Sequence, residues 1–547
     1  MEINNSHDND AVPGTKFVPP RYLAWMYAVD RIGVEGRGIE RVEPEERQDN
    51  VCMKQFISVI GLWFAGCGGI TTMSSFFLPT ILFGLNMKQS MISGLIGMNL
   101  GCLVPAYCSV MGPKSGCRQM VTARFLFGHW GVKFVSIIVI LGGIGWSVVN
   151  CVVGGQMLQA VSGNTVSLAL GIVIVFLGSL IVGIFGIRVL LRFQGIVAIP
   201  TNIAILLYYI VVCKQTKWIP ESNKAVAELG YNPLTVTGHW LSYFTIAYSC
   251  TATWGSCASD YYILFPAHTS GKKVFWVTFF GIAIPSNFAA IVGIIAGNIS
   301  YSYGPWTEAY NDFGIGGLIN VAFKPWGGFG KFVVVLLYIS VICNTLMNTY
   351  SAAFEVQLIS TKLAIVPRWI WATLISVIYL VLSLAGQSHL STVIGNVLPM
   401  LGYWITIYIT LLLEENLIFR NTVTKKLHFK EFEGQADFAS LEDDIEKISP
   451  TLTNTKSVDS SESVTLSLYN WSNWDQPKKI SAGYAAAIAF VAGAVGAAMG
   501  MNQVYYIGPI SKKIGDSGGD IGMWLCAAFS GVVYPVLRYF ELKRWGR

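Results

Sequence analysis

The chain has 547 residues, of which 53% are hydrophobic and only 12% charged, with a mean hydropathy of +0.53. Soluble domains carry about 25% charged residues, so a water-soluble fold is excluded and an all-α integral membrane protein is expected. The net charge of +6 sits in short connectors beside apolar runs, which excludes a nucleic-acid partner and makes the lipid bilayer the expected surrounding.

Residues 1–52 are polar and lack an apolar signal core, so they read as a cytosolic N-terminal segment with no cleaved signal peptide. A helix needs roughly twenty mostly apolar residues to cross the hydrocarbon core. On that criterion twelve spans are expected, the first at 56–85. Its middle carries Gly66, Gly68 and Gly69 followed by Thr71 and Thr72, a place where the helix breaks. The second span, 91–112, precedes a basic connector with Lys114, Arg118 and Arg124. The third, 131–161, is long and carries Trp146 and Asn150 four residues apart, hence on one face. Spans at 167–187 and 193–213 complete the first half.

The sixth span, 238–264, repeats the pattern of the first. Its interruption runs from Ser249 to Ser256 and includes Trp254 and Gly255, with Asp260 just beyond as a coupling or gating residue. Paired interruptions that open two five-span halves point to an inverted repeat with its site at the midplane. The competing reading is that small residues allow close helix packing. After the seventh span, 274–297, residues 298–327 read as an extracellular loop with short helices. The eighth, 328–361, places Asn344 and Asn348 on one face, while its late Glu355 is a candidate for proton handling or a gate and reads first as a solvated residue near the cytosolic end. Spans nine and ten lie at 369–386 and 390–413.

Residues 53–413 therefore form a ten-helix transport core. Residues 414–478, rich in Glu, Asp, Ser and Thr from Glu431 onward, read as a cytosolic loop. Two accessory helices, 480–502 and 519–540, and a short cytosolic C-terminus make up 479–547. Lys and Arg favour the connectors on one side, and this asymmetry puts both termini in the cytosol.

Trp146, Asn150, Trp254, Asn344 and Asn348 form the expected substrate-binding set. Amides donate and accept, as a planar heterocycle requires, and indole faces offer stacking surfaces. Interhelical glue is the bland alternative for each amide, and a headgroup-boundary position for each Trp. The six His are scattered over termini and connectors, and the eleven Cys show no metal-ligand spacing and read as core-packing thiols, so neither a metal nor a cofactor is expected.

These motifs resemble the first nucleobase:cation symporter family, in its fungal purine–cytosine permease branch, over nearly the whole chain from about residue 30. The resemblance is carried by Arg118-Gln119-Met120, Gly145-Trp146 with Asn150, Ser259-Asp260-Tyr261, Gly518-Gly519-Asp520-Ile521-Gly522 and Leu537–Lys543. Within the branch, Met111-Gly112-Pro113, Thr251–Ser256 and Asn348–Phe354 are similar to the plasma-membrane vitamin B6 transporters. The cytosine permeases carry Asn-Asn-x-Pro-Asn where this chain has Asn344-Thr345-Leu346-Met347-Asn348, a departure that argues against cytosine. The resemblance implies a LeuT-like 5+5 inverted repeat with broken helices 1 and 6 plus two extra helices. It also implies proton-coupled import, with Trp146, Asn150, Trp254 and Asn344 at the pocket. Vitamin B6 compounds (pyridoxine, pyridoxal, pyridoxamine) are the expected substrates. The alternatives are purines or cytosine, a transport-inactive nutrient sensor, and a membrane enzyme.

Overall fold

The computed structural model describes residues 34–35, 37–423, 429 and 469–547, and they are almost wholly helical. Over the first expected span lie α1 (Met53–Cys67), α2 (Ile70–Phe76) and α3 (Leu78–Phe83). Then come α4 (Met87–Ser109), α5 (Arg124–Val161), α6 (Leu168–Ile184) and α7 (Ile187–Cys213). The second half holds α8 (Pro233–Ala252), α9 (Gly271–Ser300), α10 (Gly304–Phe323), α11 (Gly327–Ile359), α12 (Arg368–Gly386) and α13 (Leu390–Glu414). The chain closes with α14 (Tyr484–Gly500) and α15 (Gly522–Trp545). A helix thus occupies each of the twelve expected ranges. By length and apolar composition, eight described helices suffice to cross a membrane, or nine with α1 and its bent continuation taken as one. The helices α6 and α14 are shorter and apolar, and α8, rich in Thr, Ser and Tyr, is less apolar than these.

Local chemistry sets several boundaries. Asn86 caps α4 by accepting from the Gln89 N–H at 2.9 Å, and Asn232 caps α8 from Thr235 at 2.8 Å ahead of Pro233 at the first turn. Gly128, at φ +68°, sets a kink near the start of α5, where a Cβ would strike the Ser481 and Ala482 carbonyls. The expected segment at 298–327 holds short helices: α10 is two of them, separated by the non-helical Phe313 and Gly314. Between α14 and α15 a two-stranded ribbon, β1 (Asn502–Gln503) and β2 (Tyr506–Ile507), pairs antiparallel. All eleven Cys are free and nine are buried, as core-packing thiols should be.

The segments fold back onto two ends. At one end Glu35 meets Arg118, Arg368 and the Ile187 N–H, while Arg124 pairs with Asp475 at 2.7 Å. Arg547 donates to the Pro477 carbonyl, so the beginning and the end of the described chain share this basic end. At the opposite end the Met87 N–H donates to Asn223, Asn232 donates to Asp516, and the Val504 N–H donates to Asn396.

The helix α13 runs on as a π-helix to Val423, and Trp471 returns to pack on Phe125 at 5.0 Å. The rest of the expected 414–478 loop, 424–428 and 430–468, lies outside the described residues. An enclosed ion network holds the accessory pair to the core. Glu415, fully buried, accepts from Arg420, Tyr534 and Arg538, each at 2.9 Å, and Arg538 also reaches Glu541 at 2.9 Å. Glu541 in turn accepts the Gly483 and Ala485 N–H groups that open α14.

Candidate functional site: a cavity between two helix breaks

The first break falls at Gly68 and Gly69, with α1 and the following helices meeting at a 42° bend. Breaking a helix frees backbone groups that must find partners inside a membrane. Here side chains supply them. Thr72 donates to the Cys67 carbonyl at 2.7 Å, the Ile70 N–H donates to Ser340 at 3.0 Å, and Asn202 donates to the Phe64 carbonyl at 3.3 Å. Glycine is needed for closeness: a Cβ at Gly69 would strike Ser340, one at Gly68 would strike Pro285, and one at Gly66 would strike the Met347 sulfur.

The Gly66 carbonyl has a dedicated donor, the Asn344 amide at 2.7 Å. Asn344 is the hub of a buried relay across three elements. Its Oδ1 accepts from Asn150 at 2.9 Å and from Asn348 at 3.2 Å, while Asn150 Oδ1 accepts from Thr71 at 2.6 Å. Through this chain α5, α11 and the second half of the first span are registered to one another.

The second break differs in form. After Ala252 the chain tightens into two 3-10 turns, Thr253–Ser256 and Ala258–Tyr261, and no α-helix resumes before α9. Thr253 donates back to the Ser249 carbonyl at 3.0 Å, and Gly255 lies where a Cβ would strike Val104 of α4. The interruption therefore begins midway through the Ser249–Ser256 run, at Thr253.

Between the two breaks lies a small cavity walled by polar and aromatic side chains. Trp146, Trp254, Asn344 and Asn348 all line it, joined by Trp404, Thr253 and Ser351. Trp146 and Trp254 are each 8% exposed, and the Trp146 indole N–H has no partner among the described residues. A buried donor beside stacking surfaces suits an acceptor on a flat ring.

Two expected site residues sit elsewhere. Asn150 is fully buried behind Asn344, so it orients an amide instead of facing the cavity. Asp260 is also fully buried, outside the lining, and accepts the Gln119 N–H at 2.8 Å. Glu355, expected to be solvated, is only 2% exposed, because α11 passes through the middle of the bundle and its end is still enclosed. Trp404 was legible by the same sign as Trp146, a tryptophan deep within an apolar run, yet spacing alone offered no partner for it. Thr71 belongs to the expected first break, whereas Ser351 is an ordinary small polar residue in sequence that only packing brings here.

Broken helices around an enclosed polar and aromatic cavity define the class: a polytopic membrane transporter. The model of the family "Permease for cytosine/purines, uracil, thiamine, allantoin" matches residues 42–426, and this chain belongs to that family. The chain is 46% identical over 536 residues to the vitamin B6 transporter of Saccharomyces cerevisiae, covering 96% of this chain and 90% of that protein. It is 28% identical to a purine-cytosine permease of the same yeast, covering 100% and 94%. Among solved structures it is similar to Mhp1, a nucleobase-cation-symport-1 family transporter in a closed conformation with bromovinylhydantoin bound. That match has a TM-score of 0.57 at 12% identity and covers 94% of this chain and 96% of the other, which speaks to the fold.

Proposed function

We propose that this chain imports vitamin B6 compounds (pyridoxine, pyridoxal and pyridoxamine) across the plasma membrane in symport with protons. The observation that carries the heterocycle is the chemistry of the cavity, where three indoles, two amides and an unpartnered indole N–H face one another between the helix breaks. The choice of vitamin B6 over nucleobases rests on the 46% identity to a vitamin B6 transporter, against 28% to the purine-cytosine permease. In this reading twelve spans cross the bilayer, ten of them a five-plus-five inverted repeat, with the basic end and both termini in the cytosol. Trp146, Trp254, Asn344 and Asn348 bind substrate, Asn150 positions Asn344, and Asp260 anchors the gate at the basic end.

The test is competition. Cells lacking their own carriers and expressing this chain should take up labelled pyridoxine, and unlabelled pyridoxine, pyridoxal and pyridoxamine should compete. Uptake of labelled cytosine or hypoxanthine in preference to pyridoxine would favour the nucleobase alternative. Surface-expressed protein that takes up none of the three would favour a sensor.

A further inference from the structure

Below the cavity, toward the basic end, the described residues gather an unusual charge cluster. Arg118 and Arg368 are 2% and 1% exposed, and both reach Glu35, at 3.2 and 3.9 Å. Tyr350 bonds Arg118 and Glu35 at 3.2 and 3.3 Å, and Phe354 lies flat under the Arg118 guanidinium at 3.2 Å. Asp260 also faces Arg118, and its Oδ1 accepts a backbone N–H while its Oδ2 has no partner among the described residues.

Glu355 lacks such support. It lies on the α11 face that lines the cavity, four residues beyond Ser351 and seven beyond Asn348. Asp260 and Cys257 face it from the second break, Ser136 from α5, and Arg118, already engaged by Glu35 and Tyr350, from the connector. It makes no salt bridge among the described residues, and its Oε2 has no hydrogen-bond partner there. Among these groups two arginines stand against three carboxyls, so the enclosure is neutral only when one carboxyl keeps its proton. Asp260 holds the Gln119 N–H as a backbone donor, and no backbone N–H among the described residues donates to Glu355.

We propose that Glu355 is the proton carrier of the transport cycle, taking up a proton from the cavity side and releasing it to water when the basic end opens. This rests on the proton-coupled reading above. With Glu355 neutral, the cluster closes beneath a loaded cavity. As the basic end opens, water reaches the carboxyl, the O–H proton leaves to it, and the carboxylate is solvated. The ionised residue opposes reclosure until the empty carrier is protonated again.

The experiment uses the full chain in cells and in nanodiscs, with pyridoxine as the probe. Wild-type binding should weaken by about tenfold per pH unit above the carrier's titration, as one linked proton requires. Glu355→Gln, a permanent neutral mimic, should bind pyridoxine with no pH dependence. It should still exchange labelled for unlabelled pyridoxine and fail to accumulate it. Wild-type pH dependence and accumulation in Glu355→Gln would overturn the assignment. Should that variant fail to reach the membrane, wild-type protein decides: a hydrophobic carbodiimide, to which a protonated carboxyl adds (proton to nitrogen, oxygen to carbon), should modify Glu355 and block uptake. Modification of Asp260 alone, or none at Glu355, would also overturn it. Wild-type uptake indifferent to pH and protonophore sinks proton coupling itself, whereas proton-driven uptake with an unaltered Glu355→Gln sinks only this residue's role.

Discussion

At the scale of single residues, the site depends on amides that serve the backbone as well as the ligand. Asn344 holds the Gly66 carbonyl and also borders the cavity, so Asn344→Ala removes a lining group and leaves a buried carbonyl without its donor. An unpaired buried group costs about 1–3 kcal/mol, or roughly five- to 150-fold in affinity. Asn150→Ala should fall in the same range while never touching substrate, because Asn344 loses the partner that orients it. Apparent affinity measured per molecule at the surface checks both; normal affinity in both variants would reduce the relay to packing. Trp254 sits edge-on to Trp63 at 5.9 Å and walls the cavity. Trp254→Ala should weaken pyridoxine binding, and Trp254→Phe should restore part of it, since the stacking face survives.

Among the elements, the two breaks are unlike because their neighbours are unlike. The first is stitched by side chains from α7 and α11 and resumes as a helix, while the second has α4 packed against Gly255 and continues as 3-10 turns. The accessory pair is attached differently again, through Glu415 and its two arginines. Arg538→Ala leaves Glu415 fully buried with Arg420 as its remaining cation. Removing one partner of a buried pair costs about 3–5 kcal/mol, less whatever Arg420 still supplies. The expected outcome is a clear drop in the melting temperature of purified protein and reduced surface level. Unchanged stability would mean that the α14–α15 contact does not depend on this network.

For the whole molecule, cation coupling and sidedness are the open tests. Uptake should rise as the medium is acidified, collapse with a protonophore, and ignore replacement of sodium. Sodium-dependent uptake with no pH response would set this chain apart from the proposed mechanism. Cysteines placed in 431–470, on a variant lacking exposed Cys52 and Cys213, should resist an impermeant thiol reagent in intact cells and react after permeabilisation. Labelling in intact cells would reverse the proposed orientation.

Local chemistry in the sequence determined much of this protein. Apolar run length announced the helices, because a bilayer demands about twenty apolar residues per crossing. Gly66–Thr72 and Ser249–Ser256 announced where helices break, because small residues weaken a helix and nearby hydroxyls can satisfy an unwound turn within a membrane. Four-residue spacing put Asn344 and Asn348 on one face. What spacing cannot express is which side of a helix another helix covers. Tertiary packing alone moved Asn150 behind Asn344, brought Trp404 and Ser351 into the lining, and joined Glu35 to Arg118 across 83 residues. It also enclosed Glu355, whose position late in a span reads as exposed until its neighbours surround it. Burial and charge pairing depend on groups far apart in the chain, and those meet only when the helices pack.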